Sequence, residues 1–312
     1  MINKTIKIGT RGSQLALYQA NWVKTALMDA HPGLCVDIVI IKTKGDKILD
    51  VPLAKVGGKG LFVKEIEEAL LNGSVDVAVH SMKDMPSEIP EGLDIGAVPV
   101  REIPNDVFLS SGGIALPDLP KGATIGTSSL RRSAQLRALR PDLNIVALRG
   151  NIDTRIKKLK DGQMDAIILA AAGIKRLNID IEITEFIAPD RMLPAVGQGA
   201  LCIETRANDP QVCPLVSTLD DYKTRVAVLA ERAFLHRLEG GCQVPIGAYG
   251  ELIGDEIHLT GLVAELDGSR AIKDMVKGPA KDHKKLGITL AERLLSMGAG
   301  EILEKLKTDA DQ

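Results

Sequence analysis

The chain has 312 residues, of which 45% are hydrophobic and 26% charged, and its net charge is −2. A single hydrophobic core rarely extends beyond about 250–300 residues, so this length predicts two or three domains. The small net charge argues against a general polyanion binder, and an aromatic content of 3% argues against a stacking platform for single-stranded nucleic acid.

Three further features indicate a cytoplasmic protein without a metal. The first residues, MINKTIKIG, lack the pattern of a secretory signal, and no apolar run reaches the ~18 residues of a membrane span. The four cysteines are scattered without a CxxC pair, and the histidines are equally dispersed. We therefore expect free thiols in a reducing compartment, no metal centre and no membrane partner.

Two segments repeat the same order of predicted elements. IKIGTRGSQLALYQA, from Ile6, and ATIGTSSLRRSAQLRAL, from Ala123, each give a short strand ending in Ile-Gly-Thr, a polar cap and an amphipathic helix. Further along, VDIVIIKTKGD corresponds to LNIVALRGNID, and ALLNGSVDVAVHS to KLKDGQMDAIILA. We predict two α/β lobes, each with βαβ crossovers and a parallel sheet, and a ligand cleft between them.

The domain limits follow from the connections between these repeats. PVREIPN (99–105) and LPAVGQG (193–199) are candidate crossings, and the strand ALCIETR that follows the second could return to the first lobe. We assign residues 1–99 and 200–218 to a discontinuous first lobe, 105–193 to the second lobe and 220–312 to a small α+β domain. In that last domain two helices flank three strands joined by hairpin turns at Gly254-Asp255 and Asp267-Gly268.

The predicted strand ends carry the candidate chemistry. VDVAVHSMKDMP places Ser81, Lys83 and Asp84 just past a buried strand, where α/β folds bind ligands. Taken alone, this stretch is better explained as a helix cap or turn with a surface salt bridge. Arginines also cluster near strand ends and helix starts, and their planar forks match carboxylates or phosphates. The basic candidates are Arg11, Arg131, Arg132, Arg149, Arg155 and Arg176, with Ser129 at a helix start that offers free N–H groups.

Two glycine-rich stretches complete the candidates. AKVGGKGLFVKE carries Lys55, Lys59 and Phe62 and reads as a mobile lid or as an ordinary surface turn, since phosphate-loop spacing is absent. LEGGCQVPIG puts Cys242 behind two glycines, where a bulky group has room beside the backbone. A small hydrophobe entering a strand is the competing interpretation. Cys35 and Cys202 lie in apolar strands and are expected to be inert core residues.

Six motifs in order resemble the porphobilinogen deaminase family, which includes hydroxymethylbilane synthases. They are AKVGGKGLFVKE, AVHSMKDMP, GTSSLRR, LRGNIDTR, LPAVGQGA and EGGCQVPIG, and the similarity extends over essentially the whole chain. The resemblance implies two lobes like type II periplasmic binding proteins, a third domain, and a dipyrromethane cofactor joined to Cys242 by a thioether. It further implies head-to-tail condensation of four porphobilinogen molecules with loss of ammonia, then hydrolytic release of the linear tetrapyrrole hydroxymethylbilane.

The same resemblance implies roles for individual residues. Asp84 corresponds to the catalytic aspartate, which would stabilise positive charge on an azafulvene intermediate and move protons. The carboxylates of cofactor and substrate would be held by Arg11, Ser13, Lys83, Ser129, Arg131, Arg132, Arg149, Arg155 and Arg176, and Phe62 would also contact the substrate. The family also implies a cytoplasmic monomer in heme and porphyrin biosynthesis that passes its product to uroporphyrinogen-III synthase.

Two other functions fit part of the pattern. A non-catalytic two-lobed receptor or effector domain for an anionic metabolite would share the repeat and the arginines, but it does not account for Cys242 and the third domain. A transferase with a transient cysteine adduct is the second alternative. The mass of the intact protein distinguishes all three.

Overall fold

The computed structural model describes residues 5–47, 60–238 and 244–310. Its strands are β1 Ile6–Thr10, β2 Val36–Ile40, β3 Val77–Ser81, β4 Leu93–Ala97, β5 Asp106–Ser110, β6 Thr124–Gly126, β7 Asn144–Val146, β8 Ala166–Ala170, β9 Glu185–Ile187, β10 Leu201–Arg206, β11 Ile246–Ile253, β12 Glu256–Ala264 and β13 Ala271–Pro279. Its α-helices are α1 Gln14–Ala30, α2 Lys44–Lys47, α3 Lys64–Leu71, α4 Leu130–Leu139, α5 Ile152–Lys160, α6 Ala171–Arg176, α7 Cys213–Val216, α8 Tyr222–Arg237, α9 His283–Leu294 and α10 Gly300–Ala310.

The two predicted lobes have sheets of corresponding strand order. The first sheet runs β2-β1-β3-β10-β4 and the second β7-β6-β8-β5-β9. In each, the first three strands are parallel, while β10 and β5 run antiparallel to both of their neighbours. The predicted fold class, two α/β lobes with a small α+β third domain, is confirmed. The prediction of wholly parallel sheets is wrong, because the strand entering from the other lobe is inserted in the opposite direction.

Two connections join the lobes. Residues 98–105 lead from β4 to β5, and residues 188–200 lead from β9 to β10. Strand β10 therefore lies in the first sheet, between β3 and β4, although it follows the second sheet in sequence. The exact domain limits stay a prediction.

Each sheet is buried between helices because its central strands are apolar on both faces. In the first lobe Val23 and Leu27 of α1 cover one face, and Ile66 and Leu70 of α3 cover the other. Helix α1 begins at Ser13, whose Oγ accepts a hydrogen bond from the N–H of Ala16, a cap that typically contributes about 1 kcal/mol. In the second lobe α4 and α5 occupy the equivalent positions. The carboxyl ends of β1, β3, β6 and β8 are thus left for ligands.

The C-terminal domain is a three-stranded antiparallel sheet covered by α8 and α9, with Phe234 and Leu290 in its core. Both predicted hairpin turns are present. The turn at Asp267-Gly268 contacts the second lobe, since Arg137 of α4 donates a 2.6 Å hydrogen bond to the carbonyl of Leu266. Gly268 in this turn has φ +75°, and a Cβ there would lie 2.6 Å from the backbone nitrogen of Ala138. None of the helices in the described ranges is long and apolar enough to span a bilayer.

Candidate active site

Asp84 lies at the carboxyl end of β3, in a single 3₁₀ turn formed by Met82–Asp84. The turn is fixed to the core, because Met82 is buried and its N–H donates to the carbonyl of Ala200 at 3.0 Å. Lys83 and Asp84 remain half-buried above it. The chain therefore fixes the predicted carboxylate on the edge of the sheet rather than on a loose loop.

A pocket of about 50 Å³ adjoins this turn. Its polar and aromatic wall consists of Arg11, Ser13, Gln19, Phe62, His80, Ser81 and Asp84. The structure thus brings together four residues predicted from sequence, Arg11, Ser13, Phe62 and Asp84. Gln19 and His80 were not predicted as site residues, whereas Ser81 was singled out only by its place at the strand end. Gln19 is buried on α1 and its Nε2 donates to Ser81 Oγ at 3.0 Å, and the available signal was an amide on the apolar face of a helix.

Arg11 is held by a carboxylate that sequence reasoning missed. Its Nε and Nη2 donate to Oδ1 of Asp46 at 3.1 and 2.5 Å, and the ring of Phe62 lies 4.2 Å from its guanidinium carbon. Burial raises the pKa of Asp46, but the hydrogen bonds from Arg11 and Thr43 outweigh burial and place that pKa below its ordinary value. Asp46 therefore orients the guanidinium group of Arg11 through its Nε and Nη2 atoms.

Arg131 and Arg132 meet a second unpredicted carboxylate, Asp106, at the start of β5. Asp106 is fully buried and accepts from Arg131 Nη1 at 2.8 Å and from Arg132 Nε and Nη2 at 3.0 and 2.6 Å. Burial raises the pKa of Asp106, but the two guanidinium groups lower it well below its usual range. Gln198 adds a 2.9 Å hydrogen bond to the same carboxylate.

The guanidinium groups of Arg131 and Arg132 consequently have fewer N–H donors left for a ligand than the sequence suggested. Arg132 also donates to the carbonyl of Ile168, and Arg131 to that of Leu193. Ser129 caps α4 by accepting from the N–H of Arg132, as the helix-start pattern predicted. These residues form a rigid, positively charged part of the second lobe. Many of the guanidinium N–H donors already bond to other groups of the protein.

Charge also connects the two lobes across the cleft. Burial lowers the pKa of Lys83 to about 8, opposed by Asp84 and Asp106 and supported by Arg132 and Arg131. Burial and Arg132 lower the pKa of Arg155 to about 10, while Asp84 raises it. Lys83 and Asp84 of the first lobe therefore share one electrostatic environment with arginines of the second.

The other predicted arginines lie on the second lobe. Arg155 is half-buried and its Nε donates to the carbonyl of Gly150 at 2.8 Å. Arg149 is half-buried just before that glycine. Arg176, at the end of α6, donates to the carbonyl of Gly199 in the second connection, and burial lowers its pKa.

Three predicted residues, Lys55, Lys59 and Cys242, lie outside the described residues. Of the other cysteines, Cys202 is fully buried, and burial together with Glu204 raises its thiol pKa. The prediction of a core position is wrong for Cys35, which is exposed, since it precedes an edge strand. Cys213 is half-buried, with Sγ 3.6 Å from the carbonyl of Arg206. Within the described ranges no cluster of three metal-ligating side chains occurs.

These observations define a two-lobed α/β protein whose cleft sets one carboxylate among basic side chains, a site suited to ligands with several carboxylates. Comparison with known proteins gives the family. The profile described as "Porphobilinogen deaminase, dipyromethane cofactor binding domain" matches residues 6–214, and "Porphobilinogen deaminase, C-terminal domain" matches residues 225–296.

Curated relatives agree with these profiles over nearly the full length. A porphobilinogen deaminase of Geotalea uraniireducens is 56% identical over 306 residues, covering 98% of this chain and 96% of the relative. One of Carboxydothermus hydrogenoformans is 53% identical over 311 residues, covering 100% of both. Among solved structures, the second substrate binding domain of a putative amino acid ABC transporter from Streptococcus pneumoniae aligns with 69% of this chain and 91% of its own, at 13% identity and a TM-score of 0.44.

The chain belongs to the porphobilinogen deaminase family. The predicted family is confirmed, and with it the predictions of a transferase and of a dipyrromethane cofactor, which the matching description names. The alternative of a non-catalytic receptor is not favoured.

Proposed function

We propose that this chain condenses four porphobilinogen molecules head to tail, losing ammonia at each step, and releases hydroxymethylbilane by hydrolysis. The observation that carries the proposal is the position of Asp84, on a pocket at the carboxyl end of β3 and in one electrostatic environment with Lys83 and Arg155. A polymer of this kind gains carboxylates with each unit, so its site needs cations around one catalytic carboxylate.

Asp84 is proposed to act on the reacting rings. In each addition the C–N bond of the substrate breaks, the amine leaves with the electron pair, and a C–C bond forms to a ring carbon that then loses its proton. A carboxylate that accepts a hydrogen bond from the pyrrole N–H stabilises the positive charge that develops during these steps. It also relays the proton toward the departing amine. The fixed 3₁₀ turn keeps this carboxylate oriented before the substrate arrives.

The basic side chains are proposed to hold acetate and propionate groups. Burial and neighbouring cations disfavour the charged forms of Lys83 and Arg155, so carboxylates of a bound ligand would offset an excess of buried positive charge. That excess fits a cofactor with four carboxylates. The proposed binding residues are Arg11, Ser13, Phe62, Lys83, Ser129, Arg131, Arg132, Arg149, Arg155 and Arg176, with Lys55 and Lys59 on a covering segment.

Cys242 is proposed as the attachment point of the dipyrromethane, which supplies the primer ring. The positions of the other thiols support this choice. Cys35 precedes β2, at the amino edge of the first sheet, whereas Asp84 follows β3 at the carboxyl edge. Cys213 lies beside Thr205, which pairs with Val77 at that same amino edge, and Cys202 is enclosed in the core.

The mass of the intact, denatured protein tests the attachment. We expect active protein to exceed the polypeptide mass by one dipyrromethane, and Cys242→Ala to lose both the added mass and the turnover of porphobilinogen. Cys213→Ala is the matched control and should keep the adduct. Active protein at the bare polypeptide mass would overturn the proposal.

The remaining proposals concern the oligomeric state of the enzyme, its location in the cell and the enzyme that receives its product. We propose a cytoplasmic monomer that delivers its linear product to uroporphyrinogen-III synthase. Sedimentation of the holoenzyme measures the first property. For the second, product cyclisation in a coupled assay should follow added uroporphyrinogen-III synthase, whereas a product that this second enzyme does not convert would contradict the assignment.

A further inference from the structure

Behind the pocket, three titratable side chains meet in the core of the first lobe. His80 Nε2 lies 3.1 Å from Glu204 Oε2, and the two side chains are 3% and 0% exposed. Residues 78 and 80 of β3 face the same side of the sheet, and Ala78 packs in the cluster covered by α3. Glu67 of α3 is also buried and interacts electrostatically with both His80 and Glu204.

Two oxygen atoms of this cluster have unusual surroundings. Oε1 of Glu67 and Oε1 of Glu204 are both buried without a hydrogen-bond partner among the described residues. Two ionised carboxylates offer acceptors only, so neither can satisfy the other. A proton on Glu67 makes it a donor to the neighbouring carboxylate, and it removes the cost of leaving two buried acceptors unsatisfied.

We propose that Glu67 carries a proton shared with Glu204, and that this protonated pair positions His80 and the end of β3 that bears Asp84. The role is one of positioning, since His80 lines the pocket and Glu204 pairs with its ring, while Glu67 acts through Glu204. The proposal deepens the proposed function and rests on it, because it concerns the pocket assigned to catalysis.

The charges around the cluster support a neutral Glu67. Burial, Glu204 and the adjacent Glu68 raise its pKa and His80 lowers it, and together they place the pKa at about 7. The other groups that interact with Glu204 are Cys202 on the same strand, β10, and Arg232 on α8, with Asp94 on β4 and Arg225 on α8 acting on Cys202. Arg232 donates to the carbonyls of Pro86 and Ser87 and is not hydrogen-bonded to either glutamate.

The sign of the pH dependence follows from this shift. The pKa of Glu67 is raised from 4.5 to about 7 on folding. Its contribution to stability is therefore complete below pH 4.5 and is lost as the pH rises to 7. Above pH 7 a second carboxylate charge faces Glu204, so we expect the contact between α3 and β3 to weaken.

Infrared difference spectroscopy on the holoenzyme tests the shared proton directly. At pH 6, wild type minus Glu67→Gln should show the carbonyl stretch of a protonated carboxyl group, and that band should vanish with a midpoint near pH 7. Glu68→Gln, an exposed neighbour on the same helix, is the control and should give no such band. A missing band, or a midpoint near the ~4.3 of a solvated glutamate, would overturn the proposal.

The pH profile of kcat/KM tests the positioning role. Wild type and Glu68→Gln should share an inflection near pH 7, which Glu67→Gln should lack, because glutamine imitates the neutral acid permanently. At pH 8 the melting temperature of Glu67→Gln should exceed that of wild type, and at pH 4.5 the two melting temperatures should be equal. An unfolded Glu67→Gln, or one that keeps the inflection, would overturn the role. Absence of porphobilinogen turnover in wild type would instead overturn the proposed function, and the infrared band would still decide the shared proton.

Discussion

The two lobes share a strand order but carry different chemistry at equivalent strand ends. In the first lobe β3 is followed by the 3₁₀ turn with Lys83 and Asp84. In the second lobe the equivalent β8 runs directly into α6, whose first residues, Ala171 and Ala172, are buried. The paired arginines of the second lobe, Arg131 and Arg132, instead lie near the end of β6, the equivalent of β1. The topology is repeated, whereas the side chains at the strand ends differ between the copies.

The lobes also treat buried charge differently. Asp84 is half-buried on a pocket, and the described structure gives it no structural task. Asp106 is fully buried and ties two arginines and Gln198 together. Asp106 therefore serves the framework, whereas Asp84 is proposed to serve the reaction, and the following variants separate the two roles.

Asp106→Ala should have the largest effect on stability. It leaves two buried guanidinium groups without their counter-ion, a change that typically costs about 3–5 kcal/mol. Urea unfolding of the holoenzyme measures the loss. Asp142→Ala removes the partner of Arg140 at the surface of the same lobe and should have far less effect. Equal stability of Asp106→Ala and wild type would contradict a structural role for Asp106.

Asp84→Asn should leave stability nearly unchanged and lower kcat by about 10²–10³, because the amide keeps the shape but not the charge that stabilises the reacting rings. Steady-state turnover and intact mass measure the two effects, and we expect the adduct to be retained. Asp37→Asn, on the exposed side of β2, is the matched control. Near-normal turnover by Asp84→Asn would remove it from catalysis.

The pH dependence of KM should identify Lys83. Its pKa of about 8 in the free site means that the charge needed by a carboxylate ligand is present below pH 8 and lost above it. KM for porphobilinogen should therefore rise above pH 8 by up to about tenfold per pH unit, since binding then requires uptake of a proton. Lys83→Arg stays charged and should show no such rise. A wild-type KM that is level to pH 9.5 would contradict the assignment.

Arg155→Lys should have the smallest of these effects. A lysine retains the charge but loses the hydrogen bond from Nε to Gly150 and the planar fork, so we expect KM to rise by roughly three- to tenfold with kcat little changed. Arg191→Lys, an exposed pair with Glu185, serves as control. If kcat fell while KM stayed constant, Arg155 would belong with the reacting groups rather than with ligand binding.

The repeat, the helix starts and the strand ends were predictable because each depends on short-range chemistry. Ser13 and Ser129 cap their helices as the local pattern requires, and Asp84 follows a buried strand as expected. Asp46 and Asp106 were missed as partners of arginines because each lies more than twenty residues from its partner. The antiparallel β10 and β5 were missed because strand direction depends on which lobe the chain enters.

Amino-acid order alone determined the family, the two α/β units and the positions that carry a carboxylate, the arginines and the glycine-flanked thiol, since these are properties of residues and their near neighbours. Tertiary structure decided which charges neutralise one another. It engaged Arg131 and Arg132 with Asp106, set His80 against Glu204, and exposed Cys35. The physical reason is that desolvation and ion pairing depend on distances between segments remote in sequence, which only the folded chain brings into contact.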